Sequence, residues 1–432
     1  MNILLLGSGG REHAIAWKLT QSEHCTKLFI APGNGGTSLH GINKAFSVTD
    51  FEAIKNCCVE EMIDMVVVGP EEPLVKGLVD YLNSESGLNL MIIGPSQTAA
   101  QLEGSKSFAK AFMNRHNIPT ASYKEFTAEN FTEGLEYLKH HPLPIVLKAN
   151  GLAAGKGVII CQNHVEAVAE FELMIQRAKF GEAGKRVVVE EFLSGIELSV
   201  FVLTDGKDYI ILPEAKDYKR VGEGDKGLNT GGMGAVSPVP FATPAFMEKI
   251  KTKIVEPSVK GLKEDEINYI GFLFIGIMKV GDEPYVIEYN CRMGDPETEV
   301  VIPRIKNDLV LLLEAAAKQD LVNFKLEVDP KFATTIVAVS GGYPNDFEKG
   351  YEIEGLDTKI KDSILFHSGT LQKDGKFLTN GGRVVCATAL ATEIDESVNM
   401  ARDLVESLHF EGKYFRRDIG FEFISETSSE EE

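Results

Sequence analysis

The chain has 432 residues, of which 44% are hydrophobic and 25% charged, and its formal net charge is −20. That length exceeds one ordinary core and sets a prior of about three domains. So acidic a surface argues against nucleic acid and anionic membranes as partners, and any anionic substrate must meet local basic groups.

No apolar run approaches the ~20 residues that span a bilayer. The start, MNILLLGSGG, goes straight into a strand without a charged leader, so a mature cytoplasmic protein is expected. The six cysteines are scattered, with Cys57 and Cys58 adjacent and no C-x-x-C spacing; they read as reduced, mostly buried thiols with no zinc site. The final SETSSEEE reads as a disordered acidic tail.

Asn2 to Leu6 is an apolar run ending in Gly7-Ser8-Gly9-Gly10-Arg11-Glu12-His13, with a helix predicted over Ala14 to Leu19. Strand, glycine turn and helix open a nucleotide-fold βαβ unit. A dinucleotide fingerprint needs its third glycine where Glu12 stands. The next strand, Lys27 to Ile30, runs into Ala31-Pro32-Gly33-Asn34 with no acid for a ribose, so a dehydrogenase is disfavoured. The pattern fits a single-phosphate site at the helix N-terminus beside Arg11, and equally a plain strand-to-helix turn. Strands at Met65–Val68 and Leu90–Ile93 each end in Gly-Pro with helical stretches between, which predicts an open parallel α/β sheet closing near Ala100.

Leu102-Glu103-Gly104-Ser105-Lys106 is read as opening a helix with Phe108, Ala111 and Phe112 on its apolar face. Lys106 falls in its first turn, where a cation is unfavourable unless an anion shares the site; a phosphate contact and a surface lysine both fit.

Pro144 to Ile160, PIVLKANGLAAGKGVII, is the most informative stretch. Two β-rich runs joined by a glycine-rich connection predict a hairpin. Gly151, Gly155 and Gly157 let backbone N–H groups crowd toward a ligand, and Lys148 and Lys156 add charge, which suits a nucleotide triphosphate. A Walker loop is excluded: the gap from Gly151 to Gly155 is one residue short, Gly157 stands where the hydroxyl belongs, and a strand follows in place of a helix. The alternative is an exposed hairpin tip.

Val165, Val168, Phe171, Met174, Ile175 and Ala178 then repeat at helical spacing. Strands over Arg186–Glu190 and Glu197–Val202 flank a link whose backbone could take an adenine edge, with Glu197 on ribose; pattern alone establishes neither role. Lys216 to Pro240 is a long glycine-laden loop around Asn229-Thr230-Gly231-Gly232-Met233-Gly234, preceded by Asp217, Lys219 and Arg220, and is read as functional. A hairpin over Gly271–Val280 and Pro284–Asn290 puts Glu288 and Asn290 on one face. A carboxylate and an amide oxygen there suit magnesium, with Arg292 next along if the strand runs on. A lone Glu-x-Asn also fits a solvated face; the two glycine loops elsewhere give it weight.

Together these residues resemble the phosphoribosylamine–glycine ligase (glycinamide ribonucleotide synthetase) family of the ATP-grasp superfamily. The strings that carry it are GGREH at 9–13, APGNGGT at 31–37, VGPEEPLVKG at 68–77, LEGSK at 102–106, LKANGLAAGKGV at 147–158, NTGGMGA at 229–235, EYNCRMGDPET at 288–298, GGYP at 341–344, HSGT at 367–370 and GGRVVCATAL at 381–390. Ser8 and Met293 depart from the pattern without removing a charge.

The resemblance implies an α/β and α+β multidomain chain: an N-terminal open parallel α/β domain over 1–101, a two-lobed ATP-grasp unit over 102–325 with its small lobe about 120–190, a C-terminal mixed domain over 326–425, and the tail 426–432. It implies that Lys106 and Lys148 reach phosphates and that the loop Gly151 to Gly157 closes over them, with Gly155 and Lys156 travelling on it. Glu190, Phe192 and Leu193 would frame adenine, Glu197 would hold ribose, and Glu288 and Asn290 would carry Mg²⁺ or Mn²⁺. Asn229, Thr230, Gly231, Gly232, Met233 and Gly234, with Arg292, Asp295 and Glu297, would line the substrate pocket. Gly9, Gly10, Arg11, His367, Gly369, Thr370 and Arg383 would contact the phosphoribosyl group. Lys156 and Arg292 are the catalytic candidates. The implied partners are ATP, glycine and 5-phosphoribosylamine, for a monomer with a transient contact to the preceding pathway enzyme and no nucleic acid or membrane. A second ATP-grasp ligase of purine or biotin-dependent metabolism, and a catalytically silent nucleotide-binding protein, are the competing readings.

Overall fold

The computed structural model describes residues 1–152, 157–177 and 179–424; Gly155, Lys156, Ala178 and the acidic tail 426–432 lie outside the described residues. The first sheet is parallel and built from strands short of polar residues: β1 (Asn2–Gly7), β2 (Lys27–Pro32), β3 (Ile42–Asn43), β4 (Met65–Val68) and β5 (Met91–Ile93), in the order β3-β2-β1-β4-β5. Ile3, Leu4, Leu5 and Leu6 have no exposed surface, as strands covered on both faces require. Helix α1 (Gly10–Leu19) starts four residues before the expected Ala14. The reason is Glu12, whose Oε2 accepts the Gly9 N–H at 2.6 Å and caps the helix. A Cβ on Gly69 would lie 2.0 Å from Glu12 Oε1, so this glycine makes room for a carboxylate and the turn is not a dinucleotide site.

LEGSK does not open one helix, as the sequence suggested. It closes one, Gln97–Gly104, and Ser105 caps the next, Lys106–Arg115, by accepting the Phe108 N–H at 3.2 Å. The expected domain limit at residue 101 thus falls inside a helix.

The antiparallel small-lobe sheet comprises β6 (Tyr123–Thr127), β7 (Ile145–Ala149), β8 (Val158–Cys161) and β9 (Arg186–Glu191), ordered β6-β9-β7-β8. β7 and β8 form the expected hairpin, with Lys148 opposite Val158. Helix His164–Ile175 buries Ala167, Phe171, Met174 and Ile175 against this sheet, whereas Val165 is 82% exposed, because the face set by 167, 171 and 174 leaves it outside.

β10 (Ile196–Thr204) and β11 (Tyr209–Ile211) begin the large lobe. The expected long loop over 216–240 is instead four short strands: β12 (Lys216–Asp217), β13 (Arg220–Gly222), β14 (Lys226–Asn229) and β15 (Gly234–Ser237). β16 (Gly271–Val280) and β17 (Glu283–Asn290) complete the large-lobe sheet, β11-β10-β16-β17. The C-terminal part adds β18 (Phe332–Val339), β19 (Ser363–His367), β20 (Thr370–Lys373), β21 (Lys376–Thr379) and β22 (Arg383–Ala391), and its sheet runs β12-β15-β18-β22-β19. The 216–237 segment, expected within the ATP-grasp unit, therefore lends two strands to the C-terminal sheet. Small and apolar residues on both sides of that seam, Ala235, Val236, Thr334 and Thr335, make the pairing fully buried.

Candidate active site

Two lysines and two lobes meet around Glu190. On β7, Lys148 Nζ lies 2.9 Å from Glu190 Oε2 and donates to Ile287 O at 3.1 Å, so a small-lobe cation reaches the large-lobe strand β17. That carbonyl is available because β17 carries a bulge: Gly276 faces Glu288 and Ile277 faces Val286, which leaves Ile287 unpaired. Lys110, four residues after Lys106 on one helix face, brings its Nζ to 3.3 Å from Glu190 Oε1. Burial pushes Lys110 down to about 8, with Glu190 opposing the shift. Lys106 donates to Gly151 O at 3.3 Å, and the neighbouring Asn150 Oδ1 accepts Ser107 N at 2.8 Å, so the start of the glycine loop is fastened to the helix N-terminus. Phe192 is 40% exposed in the link from β9 to β10, with Leu193 half-buried beside it, and Glu197 at the start of β10 forms an ion pair with Lys219.

Glu288 and Asn290 leave β17 next to this group. Burial by itself would raise the Glu288 carboxyl, but Lys219, Lys148, Lys106 and Arg292 outweigh it and hold it below the ordinary range. Among the described residues the Glu288 side chain makes no hydrogen bond or ion pair, and the buried Asn290 Nδ2 has no partner. An unspent carboxylate beside an orphaned amide fits a hard cation, since the amide can turn its oxygen inward. No cluster of three or more His, Cys, Asp or Glu among the described residues could hold a metal alone, so the remaining ligands would be phosphate oxygens and water.

Beyond Asn290 the strand end is anchored to the N-terminal domain. Arg292 Nε lies 3.2 Å from Glu71 Oε2 and its NH2 2.8 Å from Glu103 Oε1, while Glu103 Oε2 accepts the Cys291 N–H at 2.8 Å. Burial opposes the Arg292 charge, but these two acids hold its proton in place. Asp295 is likewise kept ionised against burial by Arg383 and Arg11. Arg383 NH2 sits 3.0 Å from Asp295 Oδ1, and its NH1 donates to Gly231 O at 2.8 Å and Asp295 O at 2.7 Å, which joins the 229–234 loop to the GDPET turn. Glu297, 4% exposed, accepts from Ser199 Oγ at 3.2 Å.

Several expected pocket residues are occupied differently. Met233 has no exposed surface and packs in the C-terminal core with Tyr218 and Ile336, so its side chain lines no pocket. Gly234 lies in β15, with Thr335 O and Ile419 where a Cβ would stand. Gly9 and Gly10 admit Asp295 and Glu299 to the α1 N-terminus, where Arg11 N donates to Asp295 Oδ2 at 3.2 Å and the Arg11 side chain binds Glu12 and Met293 O. The anion at this helix end is thus the protein's own carboxylate. His367 is 3% exposed; its ring Nδ1 pairs with Thr370 Oγ1 at 3.0 Å, its N–H donates to His13 Nδ1 at 2.6 Å, and Gly369 lies against Gly381. Thr230 and Gly231 remain at the accessible side of the loop, Gly232 is buried against Pro296, and Asn229 ends the exposed β14. Gly157 closes the glycine loop, its carbonyl accepting Ala149 N at 2.8 Å. Sequence reading did not single out Lys110, Glu71, Glu103, Ser199 or His13. Only Lys110 had a signal, its i+4 spacing from Lys106.

The three family models of phosphoribosylglycinamide synthetase cover this architecture in order: the N domain over residues 1–103, the ATP-grasp (A) domain over 104–298 and the C domain over 333–422. The chain belongs to the phosphoribosylglycinamide synthetase family. It is 46% identical over 428 residues to the phosphoribosylamine–glycine ligase of Pasteurella multocida, covering 98% of this chain and 99% of that relative. The ligase of Pseudomonas aeruginosa is 45% identical over 435 residues, with both chains covered completely. A bifunctional purine biosynthetic protein of Pichia angusta matches at 42% over 99% of this chain and 54% of its own length. Among solved structures, phosphoribosylamine–glycine ligase of Thermotoga maritima superposes with a TM-score of 0.82 at 36% identity, covering 97% of this chain and all of that one. A biotin carboxylase domain from Hydrogenobacter thermophilus shares the fold alone, with TM-score 0.73 at 16% identity over 96% of this chain and 91% of its own. Within the synthetase family, the two antiparallel sheets around Lys148 and Glu288 correspond to the segment matched as ATP-grasp.

Proposed function

We propose that the chain is an ATP-dependent ligase that joins glycine to 5-phosphoribosylamine, giving glycinamide ribonucleotide, ADP and phosphate in de novo purine biosynthesis. The observation that carries this reading is the unpaired Glu288 carboxylate ringed by Lys106, Lys148, Lys219 and Arg292, set beside a loop fastened to GDPET through Arg383. A chain of net charge −20 concentrates cations there because several phosphate charges must be met.

In this reading Lys106 and Lys148 bind the ATP phosphates, Glu190, Phe192 and Leu193 hold adenine, and Glu197 holds ribose. A glycine carboxylate oxygen attacks the γ-phosphorus as the bond to the bridging oxygen of ADP breaks, giving glycyl phosphate. The ribosylamine nitrogen then attacks the acyl carbon, phosphate leaves with the former carboxylate oxygen, and the nitrogen gives up a proton. Charge spreads over the transferring oxygens, so fixed cations supply most of the catalysis. Glu288 and Asn290 would hold Mg²⁺ or Mn²⁺, which when bound neutralises developing phosphate charge. Arg292, fixed by Glu71 and Glu103, presents a guanidinium to the reacting carboxylate, and Gly151, Gly157 and the loop between them exclude water from the acyl phosphate. A cytoplasmic monomer that meets the preceding pathway enzyme transiently completes the proposal.

The deciding experiment follows ADP release with the amine formed in place from ammonia and ribose 5-phosphate, offering each amino acid in turn. Glycine should be turned over far faster than alanine or serine; equal rates with alanine would sink the substrate assignment.

A further inference from the structure

The last described stretch folds back over the hairpin that leads into the 229–234 loop. Arg416 is the largest side chain there with no exposed surface. Its Nε and NH2 donate to the two oxygens of Asp418, both at 2.8 Å, and its NH1 donates to Asp225 Oδ1 at 2.7 Å and Arg220 O at 3.1 Å. The same guanidinium lies 5.4 Å from the centre of the Tyr218 ring. Lys216 Nζ stands 3.9 Å from that ring centre, and Glu422 accepts from Tyr218 OH at 2.8 Å while pairing with Lys216 at 2.7 Å. Gly224 N donates to Asp418 Oδ2 at 2.7 Å.

Tyr218 passes this hold to the loop. Its N–H donates to Gly234 O at 3.0 Å and its carbonyl accepts Met233 N at 2.7 Å. The next carbonyl, of Lys219, accepts Thr230 N at 2.7 Å and Thr230 Oγ1 at 2.8 Å. Both ends of the loop are therefore bonded to Tyr218-Lys219. The β13–β14 hairpin between them has an irregular register and an exposed second strand, and a two-stranded hairpin is marginal by itself. Burying a guanidinium is costly unless its donors are met, yet here most are spent on this hairpin and its neighbour Asp418.

We infer that residues 416–422 form a strap that sets the position of the 229–234 loop, with Arg416 and Tyr218 as positioning residues for the ligase reaction. The catalytic half of this inference rests on the reading of that loop as substrate lining. Small misplacements of a binding loop are expensive in turnover.

The test uses the full chain with Arg416→Gln, Arg416→Lys and Asp225→Asn. Asp225 lies at positive φ (53°), which asparagine tolerates, so the third variant keeps the test open should Arg416→Gln not fold. Amide hydrogen exchange at Thr230 and Met233 should quicken by roughly tenfold or more in Arg416→Gln, the size expected for losing buried charged hydrogen bonds. The KM for glycine or 5-phosphoribosylamine should rise by about as much, and by more than the KM for ATP, because the strap touches none of Lys106, Lys148 or Glu190 and reaches Glu197 only through Lys219. Arg416→Lys should recover part of the loss, and Asp225→Asn should shift both readouts less in the same direction. Unchanged exchange at Thr230 and Met233 in folded variants overturns the strap, as does exchange raised evenly over the whole chain. Fast exchange confined to the loop with both substrate KM values unchanged keeps the strap and overturns the substrate reading of the loop.

Discussion

Glu288 shows how much a single residue can tell from sequence, and where that stops. Its alternation with Asn290 on one strand was legible from strand geometry. Arg292, four residues on, was expected beside the pair, but the three lysines around Glu288 were not legible from pattern, because they come from three other segments brought together only by the fold. Glu288→Gln should lower kcat by roughly a hundredfold, as loss of a metal ligand does, with Tm within about 2 °C since no hydrogen bond or ion pair is broken. Activity assays and a thermal melt on the same preparation check both halves; wild-type turnover removes Glu288 from the mechanism. Arg292→Lys should behave differently. An ammonium cannot span Glu71 and Glu103 as the guanidinium fork does, so kcat/KM should fall by about tenfold or more together with a lower Tm. A variant that keeps both would show that the fork is dispensable. The two acids were invisible in advance because partners 189 and 221 residues away leave no mark on local pattern.

At the scale of elements, periodic segments were read well and the glycine-rich ones less so. β4 and the β16–β17 hairpin came out where alternation and apolar runs put them, because burial on a sheet dictates those residues. The 216–240 segment carries the composition of a loop, yet β12 and β15 join the C-terminal sheet, an outcome decided by a long-range seam with β18. Its glycines serve close approach. Gly232 adopts φ +122°, and a Cβ there would lie 2.4 Å from Pro296 Cδ. Gly232→Ala should therefore force the loop off the GDPET turn, costing about 1–3 kcal/mol in urea unfolding and lowering kcat/KM by roughly tenfold. Unaltered kinetics in that variant would separate this contact from the site.

At the scale of the whole molecule, the N- and C-terminal domains meet through buried histidines that must stay neutral. His13 Nδ1 accepts the His367 N–H, so its proton sits on Nε2, which faces His40 Nε2 at 3.1 Å. Adding a proton to His13 would abolish that acceptor. Burial holds His13 well below its ordinary value, with His367 and His40 adding to the shift. Burial, and then His40, pushes His367 down to about 4 from an ordinary 6.5. The sign follows from proton counting. Between about pH 6.5 and 4 the unfolded histidines bind protons and the folded ones do not, so stability falls as pH falls and the loss is complete below the folded value. His367 alone accounts for roughly 3 kcal/mol across that window. Carboxylates such as Asp295, held ionised by Arg383 and Arg11 against burial, add acid sensitivity of their own, so wild-type data cannot isolate the histidines. Urea unfolding of wild type and His367→Asn at about pH 7 and about pH 5 does so: the variant should be the less stable at neutral pH and lose less on acidification. Parallel losses in the two proteins would mean that His367 takes up its proton in the folded chain as readily as in the unfolded one.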